Sequence, residues 1–104
     1  MAELVVEASC DHPDALRVSG ELDLATVDQF STRVSGALDA AAIALVLDFG
    51  GVTFVDSTGL GSLVRLQDHA RQSGKRLDLI HVGRQVRRVL DLTGLSPLFP
   101  DQGH

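Results

Sequence analysis

The segment FVDSTGLG, from Phe54 to Gly61, holds the residue types most suited to chemistry in this chain. Its two hydroxyls, Ser57 and Thr58, lie between Asp56 and a pair of glycines, where an apolar run ends and a helical pattern begins. A serine in such a place can be a catalytic nucleophile, a helix cap or a site on which another protein acts. Each role requires different surrounding residues.

The surroundings of Ser57 do not fit a catalytic nucleophile. The nucleophile elbow reads G-x-S-x-G, and the residue two positions before Ser57 is Val55 instead of glycine. An aspartic protease motif would place a glycine two residues after Asp56, where Thr58 stands. We therefore expect no catalytic residue in this chain and no enzyme activity.

Cofactor and metal sites lack their motifs as well. A phosphate-binding loop of the G-x-x-x-x-G-K-[ST] type needs a lysine, and none lies near Gly59 or Gly61. The four histidines, the single cysteine (Cys10) and the acids do not follow metal-ligand spacing. The sequence predicts neither a metal nor a cofactor, and the scattered histidines offer Ser57 no base.

A helix cap is the simplest role for this segment, because aspartate and serine are preferred at helix starts. Either Asp56 or Ser57 could be the cap. However, Gly59 and Gly61 fall within the first helical turn, where each costs about 1 kcal/mol relative to alanine, and a cap needs neither. Glycines there would leave the helix start bare, so that another molecule could reach the Ser57 hydroxyl.

A phosphoryl group on Ser57 would suit the same position. The unpaired N–H groups and the positive dipole at a helix start both favour negative charge, so the domain could carry the group without unfolding. The phosphate would add about −1.5 to −2 charges to an exposed surface. A partner docked on that surface would then face a desolvated charge, which would make Ser57 a switch.

The strands that position this segment follow from hydrophobic spacing. Residues 4–6 and 15–18 predict two strands, which we expect to pair antiparallel at one edge of a sheet. Ile43 to Leu47 is apolar on both faces, as a central parallel strand is. The segment RLDLIHV predicts a further strand, and the tail LSPLFP a short edge segment.

Three helices alternate with these strands. The first follows Thr26, which with Gln29 fits a capping box, and the second runs from about Thr58 to Ser73. The third lies close to the C-terminus, and the alternation implies right-handed crossovers. We predict one α/β domain over residues 1–104, with a mixed, mostly parallel sheet, an antiparallel N-terminal edge and about three to four packed helices.

Composition limits the partners of this chain. A formal net charge of −5 argues against a nucleic-acid binder, because phosphate contacts need a basic surface. The basic group Arg84, Arg87 and Arg88 is predicted to be a solvated helix face. The longest apolar run, residues 40–47, is too short to cross a bilayer, and the N-terminus lacks a secretory signal. We expect a cytoplasmic protein that does not insert into membranes.

Three segments of the chain together resemble a known family. GELDLAT (residues 20–26), LVLDFGGVTFVDSTGLGSLVRL (residues 45–66) and VRRVLDLTGL (residues 86–95) are similar to the STAS domains of stand-alone bacterial anti-sigma factor antagonists. The similarity spans nearly the whole chain, in order. The D-S-[ST]-G-L-G element after an apolar strand is its most specific part.

The resemblance implies a phosphorylation switch at Ser57. In this family the serine after the aspartate accepts phosphate from an anti-sigma factor that is also a serine kinase. Unphosphorylated antagonist binds that kinase and so frees a sigma factor, whereas phosphorylated antagonist releases the kinase. A metal-dependent Ser/Thr phosphatase resets the cycle. Thr58 takes a position where relatives carry Ser or Thr, so it is a second candidate acceptor.

The resemblance also implies a partner-binding surface around the acceptor. Asp23 is expected to lie beside Ser57, and Asp56 to help set the loop. Leu60, although its helical stripe is typical of a core, is placed near the partner because it lies one turn into the helix. The remaining residues of the predicted surface are Thr58, Gly59 and Gly61.

Two alternatives stay open on the sequence. Arg65 and Gln67, on the outer side of the second helix, are either interface residues or simply solvated. The same family also provides scaffold subunits of stress-sensing complexes and accessory cytoplasmic subunits of lipid transporters. The acceptor serine favours the antagonist role over both.

Overall fold

The computed structural model describes residues 3–9 and 14–100. Cys10 and most of the connection between the first two strands lie outside these ranges. Within these ranges four strands form one sheet in the order β1-β2-β3-β4. The first pair is antiparallel and the other two pairs are parallel. The strands are β1 (Leu4–Ala8), β2 (Ala15–Leu22), β3 (Ala44–Val55) and β4 (Arg76–Ile80).

In the described part of the chain three helices pack on this sheet, and the predicted fold class is confirmed. They are α1 (Val27–Ala40), α2 (Ser57–Gln72) and α3 (Arg84–Leu92). The bounds of α2 lie within one residue of those read from the sequence. No helix in the described ranges is both long and apolar enough to span a membrane.

The core lies between the apolar stripe of α1 and the sheet. Phe30 of α1 and Phe49 of β3 are fully buried and meet edge to face, with ring centroids 6.3 Å apart. Burying a large apolar side chain is worth about 1.5–3 kcal/mol. In the sequence, apolar residues follow Thr26 at helical spacing, which predicts this stripe, and its buried members are Val27, Phe30, Val34 and Leu38.

The central strand begins one residue later than predicted and extends further. Ile43 precedes β3, and its side chain is 69% exposed although its carbonyl accepts the Arg76 N–H at 3.0 Å. Including Ile43 in the buried strand was therefore wrong. Leu45 and Leu47, by contrast, are buried on the helix-covered face. The strand continues to Val55, which delivers the chain directly to the start of α2.

The capping box predicted for α1 is not formed, because both of its side chains have tertiary partners. Thr26 is the N-cap by position, but its hydroxyl donates to the Glu21 carbonyl at 2.8 Å and accepts from the Asp23 N–H at 3.1 Å. Gln29 donates its side-chain amide to the Leu4 carbonyl at 2.9 Å. Both residues thus fasten the helix to the sheet.

The C-terminal segment packs into the core and forms no strand, so the predicted edge segment was wrong. A 3₁₀ turn over Ser96–Leu98 leads to Phe99, which is fully buried. Arg87 of α3 donates an Nη1 hydrogen bond to the Phe99 carbonyl at 2.9 Å. Arg87 is therefore partly buried and does not belong to a solvated face, whereas Arg84 and Arg88 are exposed as predicted.

Gln67 of α2 is buried and hydrogen-bonded to the backbone, so it is neither a solvated nor an interface residue. It is only 3% exposed, and its amide pairs with both backbone groups of Leu77 in β4. The Gln67 Nε2 donates to the Leu77 carbonyl at 2.8 Å, and the Leu77 N–H donates to Oε1 at 3.0 Å. The same Nε2 also donates to the Leu98 carbonyl at 2.8 Å. One side chain thus joins α2, β4 and the C-terminal turn.

Candidate functional site

The candidate site forms where two parallel strands end side by side. Leu22 pairs with Val55, so the residues that follow them, Asp23 and Asp56, emerge at the same edge of the sheet. The Asp56 N–H donates to the Leu22 carbonyl at 3.1 Å. The loop that carries Asp23 and the start of α2, which carries Ser57, are thereby held next to each other.

The cap of α2 is Asp56, and Ser57 is the first helical residue. Asp56 has an extended backbone, and its Oδ1 accepts the Gly59 N–H at 2.9 Å. Ser57 is exposed, and its hydroxyl makes no hydrogen bond to any residue in the described ranges. The two roles that the sequence left open are thus divided between neighbours: the acid caps the helix, and the serine is free.

The two glycines of the first turn have different roles. Gly59 is buried, and a β-carbon built on it would lie 2.8 Å from Leu22 Cγ and 2.8 Å from the Leu22 carbonyl oxygen. Gly59 therefore permits close packing inside the domain. The expectation that it leaves the helix start bare was wrong. Gly61 faces outward, where an added β-carbon would meet only Arg65 Nη1, at 3.4 Å. Only Gly61 leaves the helix surface open.

Leu60 lies in the hydrophobic core, with 6% of its surface exposed. The sequence placed Leu60 near the partner, but the helical turn that brings Ser57 to the surface turns the Leu60 side chain into the core. Thr58 is half-buried. Of the predicted surface, Ser57 is exposed, Asp23, Asp56, Thr58 and Gly61 are half-buried, and Gly59 and Leu60 are buried.

Comparison with known proteins matches residues 5–100 to a family described as "Mlab, STAS domain". The chain belongs to the STAS family. It is 31% identical over 86 residues to an anti-sigma F factor antagonist of Paenibacillus polymyxa, which covers 82% of this chain and 74% of that protein.

Solved structures agree with this assignment. An anti-sigma factor antagonist from Mycobacterium paratuberculosis superimposes with a TM-score of 0.79 at 26% identity, covering 100% of this chain and 87% of that one. The anti-sigma factor antagonist SpoIIAA in its unphosphorylated form gives a TM-score of 0.74 at 24% identity, covering 98% and 90%. At 24% identity, the similarity to SpoIIAA shows a common fold and nothing further.

Two exposed apolar residues of this STAS domain are close to the site in the sequence and were not predicted as part of it. Leu24, next to Asp23, is 75% exposed, and Phe54, two residues before Asp56, is 49% exposed. Phe54 lines a shallow groove of about 120 Å³ with Gln85 and Val89 of α3. The exposure of Phe54 could have been predicted from the alternation of a strand, which places its side chain on the other face of the sheet from the buried Val55. For Leu24 no signal separated it from the apolar residues of the core.

The described histidines of the STAS domain are both engaged elsewhere. His69 of α2 pairs with Asp39 at 3.1 Å, and His81, which follows β4, pairs with Asp48 at 3.1 Å. Within the described ranges, no group of three or more His, Cys, Asp or Glu side chains could hold a metal ion. His12 and His104 lie outside those ranges.

Proposed function

We propose that this STAS domain is an anti-sigma factor antagonist regulated by phosphorylation of Ser57. In its unphosphorylated form it binds an anti-sigma factor that is also a serine kinase, which frees a sigma factor. The observation that carries this proposal is the exposed Ser57 hydroxyl, without a hydrogen-bond partner in the described ranges, at the start of α2. Its relatives named as anti-sigma factor antagonists support the same role.

Phosphorylation acts as a switch through the cost of burying charge. The start of α2 tolerates a phosphate, because its N–H groups and dipole favour an anion. The exposed Leu24 and Phe54 nearby suit an interface that excludes water. A partner covering them would have to desolvate the phosphate as well. Mispairing a charge at such an interface costs about 2–5 kcal/mol.

The remaining parts of the cycle follow from this role. The chain itself performs no catalysis, and a metal-dependent Ser/Thr phosphatase removes the phosphate. The exposure of Ser57 gives both enzymes access to its hydroxyl. We place the cycle in the cytoplasm, with no direct contact between this domain and nucleic acid.

The test compares three variants by titration against the cognate kinase with nucleotide present. Ser57→Ala should bind and resist phosphorylation. Ser57→Asp should bind more weakly by roughly 30- to several-thousand-fold. Ser73→Asp is the matched control, since it adds the same charge to an exposed serine at the other end of α2 and should bind like the parent. Circular dichroism checks that all three are folded.

Two results would contradict the proposal. One is tight kinase binding by a folded Ser57→Asp variant, and the other is phosphorylation of Ser57→Ala at Thr58. Affinity capture from the host provides an independent check. Transporter subunits or a large scaffold assembly in the eluate, without an anti-sigma kinase, would assign the domain to another branch of the family.

A further inference from the structure

Arg65 of α2 reaches back toward the start of its own helix. Side chains on a helix lean toward its N-terminus, and residues four apart lie on one face. Ser57, Gly61 and Arg65 are spaced in this way. The Arg65 Nη1 lies 3.4 Å from the position that a Gly61 β-carbon would occupy. The absence of a side chain at Gly61 therefore leaves room for the guanidinium one turn closer to Ser57.

This position brings the guanidinium within range of a group on Ser57. Side chains four residues apart have β-carbons about 5–6 Å from each other. The guanidinium lies beside the Gly61 position, and a phosphate extends well beyond the serine β-carbon, so the two groups can meet over Gly61. Arg65 is exposed and forms no salt bridge with any carboxylate in the described ranges.

The two carboxylates near Ser57 would repel a phosphate that Arg65 would attract. The Asp56 carboxylate is bonded to the Gly59 N–H, and Asp23 emerges at the same edge of the sheet. A phosphate on Ser57 would be repelled by both carboxylates. Arg65 lies on the Gly61 side, where it would attract the phosphate away from them.

We propose that Arg65 is the intramolecular receptor for the phosphoryl group on Ser57. This inference rests on the proposed function, because it requires phosphorylation at Ser57. The planar guanidinium donates two parallel N–H groups that match two phosphate oxygens. Held in this way, the phosphate covers the open surface at Gly61 in a fixed position instead of rotating freely, so phosphorylation also closes off the exposed face of the first turn.

The test installs phosphoserine at position 57 during translation, so no kinase is needed. The second ionisation of the phosphate is followed by ³¹P NMR against pH in the full chain. The parent is compared with Arg65→Gln and with the control Arg71→Gln. The control removes the same charge from an exposed arginine on the same helix, about 21 Å from Ser57 along the axis and about 9 Å further from it than Arg65.

A cation beside the phosphate favours its dianion, so removing Arg65 should raise the pKa of the phosphate. The expected rise is roughly 0.2–0.7 pH unit in Arg65→Gln, the size of a solvent-exposed ion pair. Arg71→Gln should titrate like the parent. No rise in Arg65→Gln, or an equal rise in Arg71→Gln, would overturn the proposal. Failure of the cognate kinase to phosphorylate Ser57 would contradict the proposed function. It would not change this titration, because the phosphoserine is incorporated during translation.

Discussion

Gly59 lies directly against Leu22, with a gap too small for a methyl group. A β-carbon at position 59 would lie 2.8 Å from both the side chain and the carbonyl oxygen of Leu22. The same carbonyl accepts the Asp56 N–H at 3.1 Å. The start of α2 is therefore fixed to the end of β2, and this contact sets the position of Ser57 relative to the Asp23 loop.

Gly59→Ala should destabilise the domain, and Gly61→Ala should not. The added methyl at position 59 meets backbone that cannot move aside, and overpacking of this kind costs about 1–3 kcal/mol. At position 61 the nearest atom is the end of the flexible Arg65 side chain, so the gain in helix propensity of about 1 kcal/mol should dominate. Urea unfolding of the two variants measures the difference. Equal stabilities would show that the contact with Leu22 is not tight.

Asp56→Ala should cost more stability than Ser57→Ala. The Asp56 carboxylate caps the Gly59 N–H at 2.9 Å, and loss of such a cap costs about 0.5–2 kcal/mol. The Ser57 hydroxyl has no hydrogen-bond partner in the described part of the chain, so its removal should change the free energy of unfolding by less than about 0.5 kcal/mol. Asp56→Asn keeps the acceptor and is the control. The reverse order of stabilities would assign the cap to Ser57.

Leu45→Ala should cost about 2–5 kcal/mol, because it leaves a cavity in the core. Leu45 is 2% exposed in the middle of the sheet, whereas the nearby Ile43 is 69% exposed. Ile43→Ala is therefore the matched control, with an expected change within about 0.5 kcal/mol. Thermal unfolding distinguishes the two. A loss for Ile43→Ala as large as that for Leu45→Ala would move the strand boundary back to the one first predicted.

Gln67→Ala should destabilise the domain more than Gln72→Ala on the same helix. The first substitution leaves both backbone groups of Leu77 without their partner, and each unsatisfied buried group costs about 1–3 kcal/mol. Gln72 is exposed and donates only to Asp68, so its loss should be nearly neutral. Hydrogen exchange at the Leu77 amide is the direct measurement. Unchanged protection of that amide in Gln67→Ala would contradict the pairing.

The sequence predicted the elements well because periodicity depends on neighbours along the chain. The α1 stripe that includes Phe30 and Val34 repeats every three to four residues, and both residues are buried. The place of Ser57 at a helix start followed from the same kind of signal. These features need no knowledge of what lies across the sheet.

The errors arose where a partner comes from elsewhere in the fold. Thr26 and Gln29 satisfied a capping motif, but Glu21 and Leu4 supply better tertiary acceptors. Gln67 is polar and was placed outside, because sequence spacing cannot reveal that its amide meets the backbone of β4. The role of Gly59 was misread for the same reason.

The first turn of α2 separates residues that hold the fold from residues that face outward. Gly59 and Leu60 are packed inside, while Ser57 and the neighbouring Leu24 and Phe54 are exposed. Substitutions at exposed positions usually change the free energy of unfolding by no more than about 0.5 kcal/mol. Substitutions of Leu24 and Phe54 should therefore leave the fold and the position of Ser57 unchanged, so the surface beside Ser57 can change during evolution without loss of stability.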